Sequence, residues 1–206
     1  MKNCIGKQFD KLKLIELLDK SRNYRYKNME KKKERLQTER LILKPFEECD
    51  RQPMVDILLN EDIKKTYMIP DFEDKKQAEK LFEKIMNYSK SDNHFEYGIF
   101  FNDILIGFVN DCEIHDAMIE IGYVITPKYQ GNGFATEAVK SCIDELFRIG
   151  FERIRAGFFE ENKASCRVMQ KCGMYKIDLE DDIEYKGMLR HCLYYELDKS
   201  YWFQKK

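Results

Sequence analysis

Apolar positions begin to recur regularly at residue 38. Leu41 and Leu43 alternate with polar neighbours up to Pro45, the period of two that a half-buried strand requires. Met54, Val55, Leu58 and Leu59 then return at helical spacing, so a helix is expected over about residues 50–60, with Asp50 as its cap. Ala78, Leu81, Phe82, Ile85 and Met86 place a second helix over residues 74–88. Beyond it the period falls back to two. Residues 95–101 and 104–110 flank Asn102-Asp103, a pair suited to a tight hairpin turn, and Met118–Ile125 follows a turn near His115-Asp116.

Phe134–Ile149 carries the clearest helical stripe: Ala135, Ala138, Val139, Cys142, Ile143 and Leu146, closed by Gly150. Arg153–Phe159 reads as a strand, and a strand–helix–strand link makes it parallel to Met118–Ile125. A shorter helix runs from Lys163 to just before Gly173, and residues 175–181 and 190–197 finish as a strand pair around residues 185–188. The order predicts an α+β domain: a mixed, mostly antiparallel sheet of about six or seven strands with flanking helices and one parallel crossover.

The first 37 residues differ. Leu12, Ile15 and Leu18 space a short amphipathic helix within residues 9–19, and a charge-rich run follows over residues 28–35. This segment carries twelve Lys/Arg against five Asp/Glu, whereas the remaining 169 residues carry 24 against 32. A basic extension, partly helical, thus precedes an acidic body over residues 38–206. The extension serves as a solvated helix and linker, or as an arm touching RNA or the ribosome, since Tyr24 and Tyr26 stand among its basic residues. The acidic body suits a cationic substrate.

Composition closes several other routes. Hydrophobic residues at 43% and charged residues at 35% describe a globular chain. No apolar run approaches the roughly 18 residues of a membrane span, and lysines interrupt the first 20 residues where a signal peptide needs an apolar segment. The expected compartment is therefore the cytoplasm. The seven cysteines form no Cys-x-x-Cys pair and no zinc-ligand spacing with histidine, so no metal is expected. His94, His115 and His191 fall in no catalytic constellation.

The stretch that carries chemistry is a strand running through a short loop into a helix. Gln130, Gly131, Asn132, Gly133, Phe134, Ala135 and Thr136 occupy the junction. Two glycines let successive backbone N–H groups converge on one anion, and the helix start adds free donors and a positive dipole end. The spacing is neither that of the nucleotide-triphosphate loop nor that of the dinucleotide loop.

Four segments give this loop a context: Thr38-Glu39-Arg40-Leu41-Ile42-Leu43; Glu120-Ile121-Gly122-Tyr123; Gly133-Phe134-Ala135-Thr136-Glu137-Ala138; and Asn162-x-x-Ser165 ahead of Cys172-Gly173. In that order they resemble the GNAT superfamily of acetyl-CoA-dependent N-acetyltransferases, in particular its RimJ/RimL-like branch, over residues 36–197. The resemblance implies a Gln/Arg-x-x-Gly-x-Gly/Ala loop, here Gln130, Gly133 and Ala135, holding the coenzyme pyrophosphate. It also implies a strand that splays from Arg153–Phe159, so that backbone groups near Tyr123 and Ile125 bind the pantetheine arm. Asn162 is expected to reach the pantetheine or to cap the following helix.

Glu120 is the candidate base, on one strand face with Gly122 and Val124, its alternative being a solvent-facing residue. The family's usual proton donor, a tyrosine, corresponds here to Met169, so Ser165 becomes the candidate acid. Tyr175 and Tyr185 stand as acceptor-pocket walls or as core. The acceptor is expected to be a peptide N-terminus or a small amine such as a polyamine or aminoglycoside. A non-catalytic acetyl-CoA-binding regulator is the alternative of a different class. Monomer and homodimer fit the sequence equally.

Overall fold

A computed structural model of the chain describes residues 30–204. The helix expected within residues 9–19, and any contact of that arm with RNA, fall outside the described residues.

One sheet of eight strands organises the described chain, in the order β1-β2-β3-β4-β5-β6-β8-β7. The strands are β1 Leu36–Gln37, β2 Leu41–Lys44, β3 Tyr97–Phe101, β4 Ile104–His115, β5 Met118–Ile125, β6 Arg153–Phe159, β7 Tyr175–Tyr185 and β8 Met188–Asp198. Every neighbouring pair is antiparallel except β5 and β6. That pair is joined by α4, Phe134–Ile149, as the crossover rule demands.

Helices cover both faces. On one, α1 (Arg51–Leu59), α2 (Glu61–Lys64) and α3 (Lys75–Ser89) bury Met54, Leu58, Ala78 and Phe82 against Phe100, Phe108 and Val124 of the sheet. On the other, α4 lays Ala138, Val139, Cys142, Ile143 and Leu146 over Ile99, Ile119, Ile121 and Ile154, and α5 (Lys163–Lys171) adds Met169. A last helix, α6 (Lys199–Gln204), follows β8. Before β1, residues 30–33 lie across the end of α4: the Lys33 N–H donates to Glu145 Oε1 at 2.7 Å and Arg148 donates to the Lys31 carbonyl at 2.7 Å.

Several boundaries differ from the periodic reading, each for a local reason. The first strand is two, because Thr38 Oγ1 bonds both the N–H and the carbonyl of Leu41 and folds residues 38–41 into a turn. Asp50 occupies the N-cap position of α1, but its side chain makes no capping bond there; its carboxylate accepts from the Glu47 N–H at 2.8 Å within the preceding 3-10 turn. Asn60 caps the unexpected α2 by accepting from the N–H groups of Asp62 and Ile63. The hairpins close on residues with positive φ, Asn102 and Asp103 at 49° and 60°, and Lys186 and Gly187 at 52° and 71°. β7 and β8 accordingly run right up to that second turn.

Candidate active site

The parallel ladder is short. It pairs Met118 with Arg153, Ile119 with Ile154 and Glu120 with Arg155, and there it ends. The rest of β5 stays bonded to β4, and the rest of β6 to β8, so the two strands part like a wedge. The Thr126 N–H donates to the Ile106 carbonyl at 2.8 Å, which fixes the alternation along β4 and β5. Backbone groups of Ile121, Tyr123 and Ile125 therefore turn away from β4 and into the wedge. They line a cleft of about 480 Å³ that continues along the loop to α4 and α5.

At the far end of this cleft Gly131 and Gly133 have φ of 79° and 80°, values that side chains resist. Gly133 is the N-cap of α4 and supplies no capping side chain, so the first amides of the helix remain available to a ligand. The loop's own side chains brace it. Gln130 donates to the Ile125 carbonyl at 2.8 Å, and Asn132 to the Tyr129 and Gln130 carbonyls at 3.2 and 3.0 Å. Phe134 is buried against Phe101, ring centres 4.8 Å apart, while Ala135 and Thr136 border the cleft. Anion binding here falls to the backbone, and a diphosphate fits a bend built of N–H donors with no carboxylate among residues 130–136.

A second cavity, of about 400 Å³, opens on the opposite face of the sheet, beneath α3 and residues 66–70. Both cavities touch Thr66, Tyr67, Ile121, Gly122, Gly157 and Phe158, so they meet at the wedge. Glu120 lies in this second cavity, half-buried and, among the described residues, in no hydrogen bond or ion pair. Burial first, and then the nearby Glu113, push its carboxyl up to about 7. Arg155 opposes the shift, but its guanidinium is engaged with Glu196 Oε1 at 2.7 and 2.9 Å. The junction is roomy because two positions lack side chains. A Cβ on Gly122 would stand 2.4 Å from the Tyr67 hydroxyl; one on Gly157 would stand 2.8 Å from the Tyr194 ring and 3.5 Å from Glu120 Oε1.

Residues 40–175 match the acetyltransferase (GNAT) domain family. The chain belongs to the GNAT family. Among relatives, an uncharacterized N-acetyltransferase of Bacillus subtilis, YoaA, is 28% identical over 165 residues, 77% of this chain and 88% of that protein. Solved structures of like fold include RimL, a ribosomal L7/L12 α-N-protein acetyltransferase in complex with coenzyme A. It has a TM-score of 0.73 and 16% identity, over 82% of this chain and 99% of that one. Another is the spermidine N-acetyltransferase of Vibrio cholerae with CoA and spermine, with a TM-score of 0.68 and 21% identity, over 80% and 98% of the two chains. This GNAT chain is an acetyl-CoA-dependent N-acetyltransferase.

Within this GNAT frame the remaining site residues find their places. Asn162 caps α5, accepting from the Ser165 N–H at 3.1 Å, and its amide reaches the Thr66 carbonyl at 3.4 Å while bordering the cleft. Ser165 Oγ lies 2.9 Å from the Tyr123 hydroxyl, which is also 3.2 Å from the Ser165 carbonyl. When the phenol donates to that carbonyl it can accept from the serine; when it donates to Oγ, the serine proton is left for the cleft. Met169 is buried in the core, so no donor comes from it. Tyr185 proves to be a clasp: its hydroxyl accepts from the Ile69 N–H at 3.2 Å and faces the carbonyls of Tyr67 and Ile69 at 3.2 and 3.1 Å. Tyr175 is remote from both cavities, bonded to Asp198.

Sequence reasoning passed over four contributors. Tyr67 borders both cavities, donating to Asn110 Oδ1 at 2.6 Å, and no period marks it. Arg40 donates to the Asn132 carbonyl at 3.1 Å, pairs with Glu137 at 2.6 Å and lies over the Phe134 ring, clamping the bend from β2's side. Arg167 and Lys171 line the first cleft from α5, and their spacing of four after Lys163 was a visible signal. No helix of the described residues is long and apolar enough to cross a membrane, and no group of three or more His, Cys, Asp or Glu there is arranged for a metal.

Proposed function

We propose that the acceptor is a primary amine at a peptide or protein N-terminus, and that Glu120 takes its proton. The observation that carries this reading is a half-buried carboxylate without a partner, held near pH 7, where the acceptor cavity meets the coenzyme wedge. Amines arrive protonated at neutral pH, and a base matched to that pH serves both to draw the ammonium in and to accept its proton. Bound acetyl-CoA supplies an acetyl group activated as a thioester.

The chain's own residues do the rest. Amides of Gly131, Asn132, Gly133, Phe134, Ala135 and Thr136 hold the diphosphate, with Arg167 and Lys171 adding positive charge along the cleft. Backbone groups of Tyr123 and Ile125 hold the pantetheine as a neighbouring strand would be held, the Ile125 carbonyl being shared with Gln130. Asn162 keeps residues 66–69 over the junction. Ser165, backed by Tyr123, holds a proton beside the wedge for the departing thiolate.

The acceptor cavity favours a peptide over a small polycation. Its walls are mainly apolar, Leu58, Met68, Ile69, Ile85, Phe108 and Phe159 among them. Met68, one of these wall residues, is 38% exposed, an apolar edge that a peptide can cover. Release of CoA is measured with peptides bearing free or blocked N-termini, with spermidine and with an aminoglycoside. Turnover confined to free N-termini is expected. Turnover with the small amines alone overturns the peptide reading, and turnover with none of them, while acetyl-CoA still binds, favours the regulator.

A further inference from the structure

The second carboxylate near Glu120 is brought there by a defect in the sheet. Along β4 and β5, Asp111 stands opposite Ile121, but the next pair is Glu113 with Glu120. Unbroken pairing would have set Cys112 across from Glu120. Cys112 is instead an extra residue, a one-residue bulge, and bulges next to active sites re-aim side chains. Cys112 stays on the acceptor face, where its sulfur lies 3.0 Å from the place of a Gly122 Cβ. Glu113 follows it into the same cavity, which both glutamates line.

Two like charges directly opposite on neighbouring strands work against the fold. Among the described residues neither carboxylate has a hydrogen bond or an ion pair to offset this. Glu96 and Lys84 line the same cavity from its α3 side, but the cation that acts on Glu120 is Arg155, already bound to Glu196, so a cationic ligand would complete the Glu113–Glu120 pair.

We propose that Glu113 is an acceptor-binding residue, set beside Glu120 by the bulge at Cys112 so that the two carboxylates together receive the protonated amine. This rests on the reading of Glu120 as the proton acceptor. The charged and titratable groups around Glu120 are Glu113 and Cys112 from β4, Arg155 from β6, Asp181 from β7, and Cys192, Tyr194 and Glu196 from β8, with Tyr67 above the junction and Lys84 and Glu96 elsewhere in the cavity wall. Arg155 is bound to Glu196 and Asp181 accepts from the Tyr194 hydroxyl at 3.0 Å, whereas Glu113 has no such partner. Removing the charge of Glu113 takes away the strongest of the neighbouring carboxylates acting on Glu120. Glu120 then ionises at lower pH, and the acidic limb of kcat/KM, where activity rises as the base loses its proton, moves down with it.

The experiment compares the full chain with Glu113→Gln, Glu113→Asp and Glu120→Gln. The probes are a hexapeptide with a free N-terminus and spermidine, with kcat/KM followed over about pH 5.5 to 9. Glu113→Gln is expected to raise the acceptor KM by about tenfold or more, the scale of one lost charge-assisted contact. It is also expected to shift the acidic limb downward and leave acetyl-CoA binding by calorimetry unchanged. Glu113→Asp should restore both acceptor properties in part. If Glu120→Gln abolishes the limb while Glu113→Gln moves neither the limb nor the acceptor KM, the role of Glu113 is overturned. If the limb survives in Glu120→Gln, the reading of Glu120 fails instead. A loss of acetyl-CoA affinity in Glu113→Gln would mark a merely structural residue and also overturn the proposal.

Discussion

The two cavities that meet at Gly122 and Gly157 are built in opposite ways. The cleft proposed for the coenzyme comes mostly from one continuous run, β5 through the glycine bend into α4, and the groups it offers are main-chain amides and carbonyls. The cavity proposed for the acceptor takes side chains from α1, α3, β4, β5, β6, β7, β8 and residues 66–70. Backbone donors are the same in every family member whatever the side chains are, so a coenzyme shared by many enzymes suits them. Side chains gathered from separate elements can each change alone, which suits an acceptor that differs between enzymes.

Substitutions on the two sides should therefore split cleanly between kcat, acceptor KM and coenzyme affinity. Glu120→Gln is expected to have the largest effect, lowering kcat/KM about 10²- to 10⁴-fold near neutral pH with acetyl-CoA affinity intact. The deficit should shrink as pH rises and more of the amine is free. A variant with unchanged activity and pH profile would remove Glu120 from the chemistry. Next, Gly133→Glu combines a carboxylate near the diphosphate with a residue forced to φ of 80°. Calorimetry should show acetyl-CoA binding weakened by about 100-fold, the sum of strain and repulsion. Undiminished affinity would mean the bend is not the diphosphate site.

Ser165→Ala and Tyr123→Phe sharpen the comparison, because they stand where the two sides touch. Each should slow turnover by about 100-fold, the low end for a lost proton donor, with little change in either binding constant. If both leave kcat untouched, the thiolate departs without their help. A subtler effect belongs to stability. The Glu120 carboxyl is raised from 4.5 to about 7 in the fold, so between those values the folded state binds the extra proton, and stability falls as pH rises through that window. Glu120→Gln should then be more stable to unfolding than the parent at pH 8, by on the order of 1–3 kcal/mol in denaturant titrations, and lose the advantage below about pH 4.5. Smallest of all, Tyr185→Phe removes the clasp on Tyr67 and Ile69. It should cost about 1 kcal/mol locally, seen as faster amide exchange at Ile69 and a modest rise in acceptor KM.

Strand and helix boundaries from β5 to α5 were legible because period, glycine punctuation and the crossover rule agreed there. The bulge at Cys112 was invisible, since period-two alternation carried straight through Asn110 and Cys112 points Glu113 to the wrong face. Asp50 misled for a related reason: a carboxylate before an apolar stripe looks like a cap whether it bonds the helix or, as here, the turn ahead of it. Tyr67 gave no local sign either, and Arg40 stood in a signature segment without showing what it holds, because each acts on groups more than 40 residues away in the chain.

The sequence alone determined the order of elements, the parallel crossover and the glycine bend, all of which depend on residues close together along the chain and on backbone geometry. Tertiary structure decided where the parallel ladder stops, which carboxylate Glu120 faces and what roofs the junction. These depend on register, and register is settled only when distant strands pair and their buried faces are matched.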